Sequence, residues 1–186
     1  MGNKEIVDFI FELAQLKRIR HEGWRLIGIE DPESVAAHTA RAIQIGFILA
    51  KMEKYENPFE ICSILAFHEI AECRTGDIHR IANRYIQLDD ESAVKDQLKK
   101  LDFGEEIFEL WKQIKYKNTR AGIIAKDADL LEMAFTAKEY IERGHTFAQD
   151  WISNISKRLQ TDSAKNLLAA LEKSNSNDWW QGLKKF

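Results

Sequence analysis

The sequence predicts an all-α protein, and three observations carry that prediction. Apolar residues recur at helical spacing along most of the chain. Two Pro and nine Gly among 186 residues are too few for a turn-rich all-β fold. No segment reads convincingly as a strand, and no internal repeat or low-complexity tract appears. A chain of 21.6 kDa suits one domain, taken as residues 1–186 with 176–186 as a tail that packs on the domain or on a neighbouring subunit.

The elements follow in order. Segment 4–19 sets Ile6, Phe9, Ile10, Leu13 and Leu16 on one apolar stripe and predicts a first helix. Gly23, Gly28 and Pro32 make 20–32 a loop. The next helix is expected to open at Pro32, with Asp31 as N-cap and Pro32 at the first helical position, and to run to about Tyr55. Asn57-Pro58 opens a helix over 58–73 whose apolar residues lie on most sides, which predicts a central position. Thr75-Gly76-Asp77 ends it. Residues 78–88 are short helix or loop. Asp89 starts a helix through Leu101, and 104–116 form another. A long helix runs from Arg120 to Arg143 and stops at Gly144. Segments 146–159 and 162–173 are amphipathic. Ser174 to Asp178 link to Trp179-Trp180.

Composition narrows the function. Lys plus Arg number 27 and Asp plus Glu 30, a formal charge of −3, which excludes a globally basic binder of nucleic-acid polymers. A chain 45% hydrophobic and 31% charged builds a core and is not disordered by composition. Cys62 and Cys73 make no disulfide framework and are expected as small buried thiols. No secretory signal is visible near Met1, and no apolar run reaches membrane-spanning length. The expected location is the cytoplasm.

The informative string is Leu65-Ala-Phe-His68-Glu69-Ile-Ala-Glu72-Cys73-Arg74-Thr75-Gly76-Asp77. It places one His and several carboxylates in or just after an apolar helix, where unpaired charge is costly and a metal ion would resolve the cost. His68 and Glu72 are four apart and share a helix face. His-Glu-x-x-His, the zinc-protease pattern, is not met, because Glu72 stands where the second His would be. Glu142-x-x-His145 occurs once, whereas a di-iron bundle needs two such helices. His38, among Ala36, Ala37 and Ala40, and Asp129, in the long helix, complete a set of His38, His68, Glu69 and Asp129. Two imidazoles and two carboxylates suit Zn²⁺ or another divalent transition metal, with positions open for water and substrate.

Taken together, these segments resemble the HD-domain phosphohydrolases, and most nearly the small YfbR-like 5′-deoxynucleotidase branch with its archaeal members. Leu16-Lys-Arg-Ile-Arg20-His-Glu-Gly23-Trp24 is similar to the family's early segment. Pro32-Glu-Ser-Val-Ala-Ala-His38 is similar to its first ligand segment. The His68 string resembles its central motif, and Ala125-Lys-Asp-Ala-Asp129 its last ligand. The resemblance covers nearly the whole chain. One position departs: the family's Asp after the central His is Glu69 here, which keeps the charge and adds a methylene.

The resemblance implies an HD-type helical bundle holding one divalent ion (Mn, Co, Zn, Ni, Fe or Mg) on His38, His68, Glu69 and Asp129. It implies a metal-dependent phosphohydrolase that removes the 5′-phosphate of a nucleoside monophosphate, a deoxyribonucleotide first. Glu72 is the candidate general base or water-orienting group, and Asp77 the acid near the leaving oxygen. A phosphate calls for positive charge, and Arg18, Arg20 and Arg41 are the candidates, with Trp24 for the base or sugar. Arg74, Lys126, His79 and Arg80 lie near the motifs. The expected partner is a nucleotide, and self-association as a homodimer follows from the apolar content. Two alternatives stand beside this: another nucleotide phosphoester, or a degenerate nucleotide-sensing module marked by Glu69. At single positions, Asp77 also suits a helix N-cap, Trp24 a core filler, Asp127 a solvated helix residue, and His21 and His145 the surface.

Overall fold

The computed structural model describes residues 2–183, and among these nine α-helices and five short 3-10 segments account for the regular structure. The helices are α1 (Asn3–Leu13), α2 (Val35–Met52), α3 (Pro58–Ala66), α4 (Glu72–Thr75), α5 (Asp90–Leu98), α6 (Gly104–Tyr116), α7 (Arg120–Glu142), α8 (Gln149–Ser156) and α9 (Asp162–Lys173). The described residues form no sheet; one isolated antiparallel bridge joins Arg20 and Ser34.

The centre of the bundle is α7 and not the 58–73 segment. It buries fourteen of its 23 residues and packs against α2, α3, α6, α8 and α9. Ala121, Ala125, Ala128, Ala134 and Ala137 are buried along it. Such small side chains let neighbouring helices approach, and their burial on several sides requires partners all round. By contrast α3 exposes Phe59 on its outer side. Where α2 crosses α3, Gly46 makes the approach possible: a Cβ there would lie 2.3 Å from Leu65 Cδ1. The main core joins Leu49, Ile61, Ile64, Leu65, Ile124 and Leu131. A second, smaller core joins Phe9, Ile70, Val94, Leu98, Phe108 and Trp111.

One helix start and two helix ends depart from the sequence expectation. The second helix opens at Val35, with Ser34 as N-cap accepting from the Ala37 N–H at 3.2 Å. Residues 31–33 are drawn out instead, because their backbone pairs across the preceding loop: His21 N–H donates to Glu33 and Val35 N–H to Ile19. An extended Pro32 suits that pairing, since its fixed φ allows it. The first helix ends at Leu13 and continues only as a 3-10 turn, Ala14–Lys17. The third helix ends at Ala66, well before Cys73, with consequences for the site below. Pro58 at the start of α3, Asp89 as the cap of α5 (accepting from Ser92 N–H) and Gly144 at φ 102° after α7 stand as the sequence predicts.

In the tail, Trp179 is exposed and the Trp180 indole N–H donates to Asn177 Oδ1 at 3.2 Å. The expectation for residues 184–186 lies outside the described residues.

Candidate active site

The site begins where α3 stops. Phe67 leaves helical geometry at φ −118°, and residues 67–71 continue as turns, with Ile70 N–H on Phe67 O and Glu72 N–H on Glu69 O. His68 and Glu72 therefore do not share one face of a continuous helix. The Leu65 carbonyl, at the end of α3, accepts the His68 ring Nδ1–H at 2.7 Å. That bond anchors the ring and leaves Nε2 pointing away from α3.

His38, on α2, is fully buried and donates its own Nδ1–H to Glu132 Oε2 on α7 at 2.5 Å. A carboxylate is an acceptor only, so in the neutral ring the proton sits on Nδ1 and Nε2 carries the lone pair. The two Nε2 atoms face each other at 3.3 Å. Asp129 Oδ1 lies 3.1 Å from His38 Nε2 and 3.7 Å from His68 Nε2, and Glu69 Oε1 lies 3.2 Å from His68 Nε2. One donor atom from each of His38, His68, Glu69 and Asp129 falls within 4.8 Å of the others.

This arrangement fits a divalent cation on its own chemistry. Two imidazoles pinned by their Nδ1 protons aim bare Nε2 lone pairs at each other, which is repulsive without positive charge between them. Two nitrogens at about 2.0–2.1 Å from one tetrahedral ion stand roughly 3.3 Å apart. The carboxylate and carbonyl behind the rings are the partners that fix a metal-binding imidazole. Glu69 leaves the turn after α3, and its side chain carries Oε1 into the cluster.

Without an ion, protons take up part of that role. Burial disfavours charge on His38, yet the hydrogen bonds to Asp129 and Glu132 overcome it and hold its pKa well above the usual range. Burial likewise opposes charge on His68, and Glu69 and Asp129 push it up to about 9. Burial would raise Glu69, but His68 beside it draws it down to about 2. Asp129 lies well below its ordinary value despite burial, through Lys126 and the two imidazoles. Glu72 goes the other way: burial, then the negative charges of Glu69 and Asp77, push it up to about 10. One of its buried oxygens has no hydrogen-bond partner among the described residues. Burial also raises Asp77, whose Oδ2 accepts the Glu22 N–H at 2.7 Å. Asp77 thus caps the 3-10 segment Glu22–Ile27 across the fold, and not a helix of its own.

Two cavities meet at the cluster. One, of about 460 Å³, runs past His68, Thr75, Asn83, Trp111 and Lys117. The other, of about 560 Å³, runs past Asp129, Met133, Trp151 and Ile155. Glu69, Glu72, Asp77, Ile78, Lys126 and Arg158 border both. A water or substrate held at this junction is within sight of Glu72 and Asp77 together.

The structure brings together His38, His68, Glu69, Asp129, Glu72 and Asp77. Trp24 borders the larger cavity, but at 1% exposure it is also core, stacked on Trp151 at a centroid distance of 4.9 Å. Arg18, Arg20 and Arg41 border neither cavity. Arg18 is exposed and donates to Ala14 O; Arg20 pairs with Asp31 at 3.1 Å. Arg41 is bound into the protein, donating to Glu132 at 2.8 Å, to Glu139 at 2.7 Å and to Thr136.

Several residues take places that sequence reasoning did not give them. Glu132, fully buried, orients His38; its signal was a second carboxylate three residues after Asp129 on an apolar helix. Asp127 is fully buried, not solvated, and accepts the Gln160 and Thr161 N–H groups and the Thr161 hydroxyl. His21 is buried, not on the surface, and borders the larger cavity. His145 is half-buried against the Ile27 carbonyl, and Cys62 and Cys73 are only half-buried. Arg158 had no sequence signal, since it lies far along the chain from every motif.

A model of the HD domain matches residues 13–171. The chain is 26% identical over 184 residues to the 5′-deoxynucleotidase HDDC2 of Homo sapiens, covering 95% of this chain and 89% of that protein. It is 32% identical over 145 residues to the 5′-deoxynucleotidase hdd1 of Schizosaccharomyces pombe, covering 73% of this chain and 72% of that one. Among solved structures, a conserved hypothetical protein from Pyrococcus furiosus is similar, with a TM-score of 0.76, 26% identity and coverage of 90% of this chain and 99% of that one. With the two-imidazole, two-carboxylate centre on α2, α7 and the turn after α3, these matches establish that the chain belongs to the HD-domain family.

Proposed function

We propose that the protein is a metal-dependent phosphohydrolase that removes the 5′-phosphate of deoxynucleoside monophosphates. The observation that carries this is the pair of His Nε2 atoms, each tautomer pinned from behind, facing each other beside Glu69 and Asp129 at the junction of two cavities. The names borne by the relatives from Homo sapiens and Schizosaccharomyces pombe support the substrate class.

His38, His68, Glu69 and Asp129 would hold one divalent ion. When bound, such an ion polarises a phosphoryl oxygen and lowers the pKa of a water. Glu72 is the group placed to orient that water and take its proton. Burial first, then Glu69 and Asp77, hold its carboxyl up; a cation on Glu69 would remove one of these contributions and would favour the carboxylate that base work requires. The water oxygen forms the new bond to phosphorus, and the bond from phosphorus to the 5′-oxygen breaks. Asp77, raised by burial, is placed to supply the proton the leaving oxygen needs. The larger cavity, with Trp151, Met133 and Ile155, suits the nucleoside.

The expected location is the cytoplasm and the expected state a homodimer, which the native mass in solution tests. Among the described residues, no helix is long and apolar enough to cross a membrane.

The test is phosphate release from deoxynucleoside 5′-monophosphates by metal-stripped protein refilled with Mn²⁺, Co²⁺, Zn²⁺ or Mg²⁺. Release that depends on metal is expected. His68→Ala and Asp129→Ala should lose both metal and activity, while Glu72→Gln should keep metal and lose turnover, by roughly a hundred-fold or more. No release with any metal overturns the proposal.

A further inference from the structure

Two cations border both cavities, Lys126 and Arg158. Lys126 is committed, its Nζ 2.5 Å from Asp129 Oδ2. Among the described residues the Arg158 side chain makes no hydrogen bond or ion pair; it is exposed and borders both cavities. The three arginines that the sequence offered for a phosphate lie elsewhere or are tied to carboxylates. A dianionic substrate at this junction therefore has one unengaged guanidinium facing it on the shared wall.

The backbone of Arg158 is held although its side chain is not. Arg158 follows α8 and its N–H donates to Ile155 O at 2.8 Å. Leu159, next in the chain, is buried in the main core. Gln160 and Thr161 then donate their N–H groups to Asp127 at 3.0 and 2.7 Å. Asp127 lies two residues before Asp129 on α7. One helix thus carries a ligand of the four-donor cluster and clamps the segment that bears Arg158. A guanidinium mounted on a fixed backbone, with its fork of donors free, suits two-point contact with phosphate oxygens. Arg80 borders the larger cavity as well; burial first, and then the like charge of Arg80, disfavour the charge on Arg158, while Asp129 favours it. An anion between them relieves that repulsion.

We infer that Arg158 anchors the phosphate of the substrate, holding its non-bridging oxygens against the four-donor cluster while the nucleoside lies in the larger cavity. The inference rests on the phosphohydrolase proposal for the substrate, but not for its test. Arg158 is a binding group and touches neither the attacking water nor the leaving oxygen.

The test uses the full chain loaded with Mn²⁺, and compares wild type, Arg158→Ala and Arg158→Lys. Binding of inorganic phosphate is measured by calorimetry, which needs no turnover. Arg158→Ala should weaken phosphate binding roughly ten- to a hundred-fold, with metal content and Tm unchanged. The Lys variant should recover part of the loss. If the enzyme turns over nucleotides, KM should rise in step with the phosphate Kd, while inhibition by the phosphate-free nucleoside stays as in wild type. Phosphate binding equal in wild type and Arg158→Ala, or absent in wild type, overturns the inference. Loss of phosphate binding in Arg158→Ala by a wild type that hydrolyses no nucleotide leaves the anchor standing and overturns the substrate proposal alone.

Discussion

His38 and His68 show how an imidazole is oriented by the atom behind it. Each ring commits Nδ1–H to a fixed acceptor, Glu132 in one case and the Leu65 carbonyl in the other, so each offers Nε2 to the same point. Glu132 is itself held by Arg41, which reaches it from α2 and also ties to Glu139. The Arg41 charge thus supports the orientation of His38 and is not spare for a substrate. Glu132→Gln keeps the shape but can present its amide to the ring in place of a carboxylate oxygen. The expected result is a metal Kd weaker by about 10–100-fold with the fold retained, measured by competition with a chelating dye. An unchanged Kd would show that Glu132 only fills space.

At the scale of elements, α7 does two jobs through neighbouring faces. Asp129 points into the cluster and Glu132 to the back of His38, while Asp127 points to the start of α9, where it accepts the N–H of the N-cap Thr161 and of Gln160 before it. Thr161 caps the same helix by accepting from Ala164 N–H. Asp127→Asn would turn one buried acceptor into a donor facing donors. A loss of about 3 kcal/mol is expected in urea unfolding. Gly122 shows the tightness of the same helix: a Cβ there would lie 2.0 Å from the Gln113 backbone carbonyl, so α6 and α7 could not keep their spacing. The break after Ala66 is the other decisive element. Had the helix run on to Cys73, Leu65 O would be bound by the ladder and His68 would lose its anchor.

For the whole molecule, metal and stability are linked, and pH sets the size of the link. In metal-free protein, the raised His68 pKa contributes stability that is fully present below the unfolded value of about 6.5. That contribution is lost as pH rises through about 9. Glu72, raised to about 10, acts in the same direction: the fold holds its proton more tightly than the unfolded chain does, so rising pH works against the fold. Metal acts oppositely, because its imidazole ligands must be neutral and acid competes for them. The drop in Tm on adding chelator should therefore be larger at pH 9 than at pH 6.5, and thermal melts at both values check it. A drop that is equal or smaller at pH 9 contradicts the assigned cluster. A site filled at a hundred times its Kd stabilises by about 2.7 kcal/mol, ample for such melts to resolve.

The helical class, most element boundaries and the four side chains that the fold brings together, His38, His68, Glu69 and Asp129, were readable from residue order alone, because periodicity, capping and short motifs are local properties. Pro58, Asp89 and Gly144 act on their own neighbours and needed no partners to be recognised. What sits opposite a residue is not local. Glu132 behind His38, Asp127 beneath the α8–α9 connection and Arg158 on the shared cavity wall depend on segments distant in sequence packing around α7. Arg18, Arg20 and Arg41 were near the motifs in the chain, yet only packing decided that all three would lie off the cavities, with Arg41 held by Glu132 behind His38. The end of α3 belongs with these, since a ring nitrogen competing for a backbone carbonyl outweighs an apolar pattern that runs on to Cys73. Sequence order specifies which groups are available; tertiary packing decides which of them face one another, because burial and hydrogen-bond partners exist only once the helices have met.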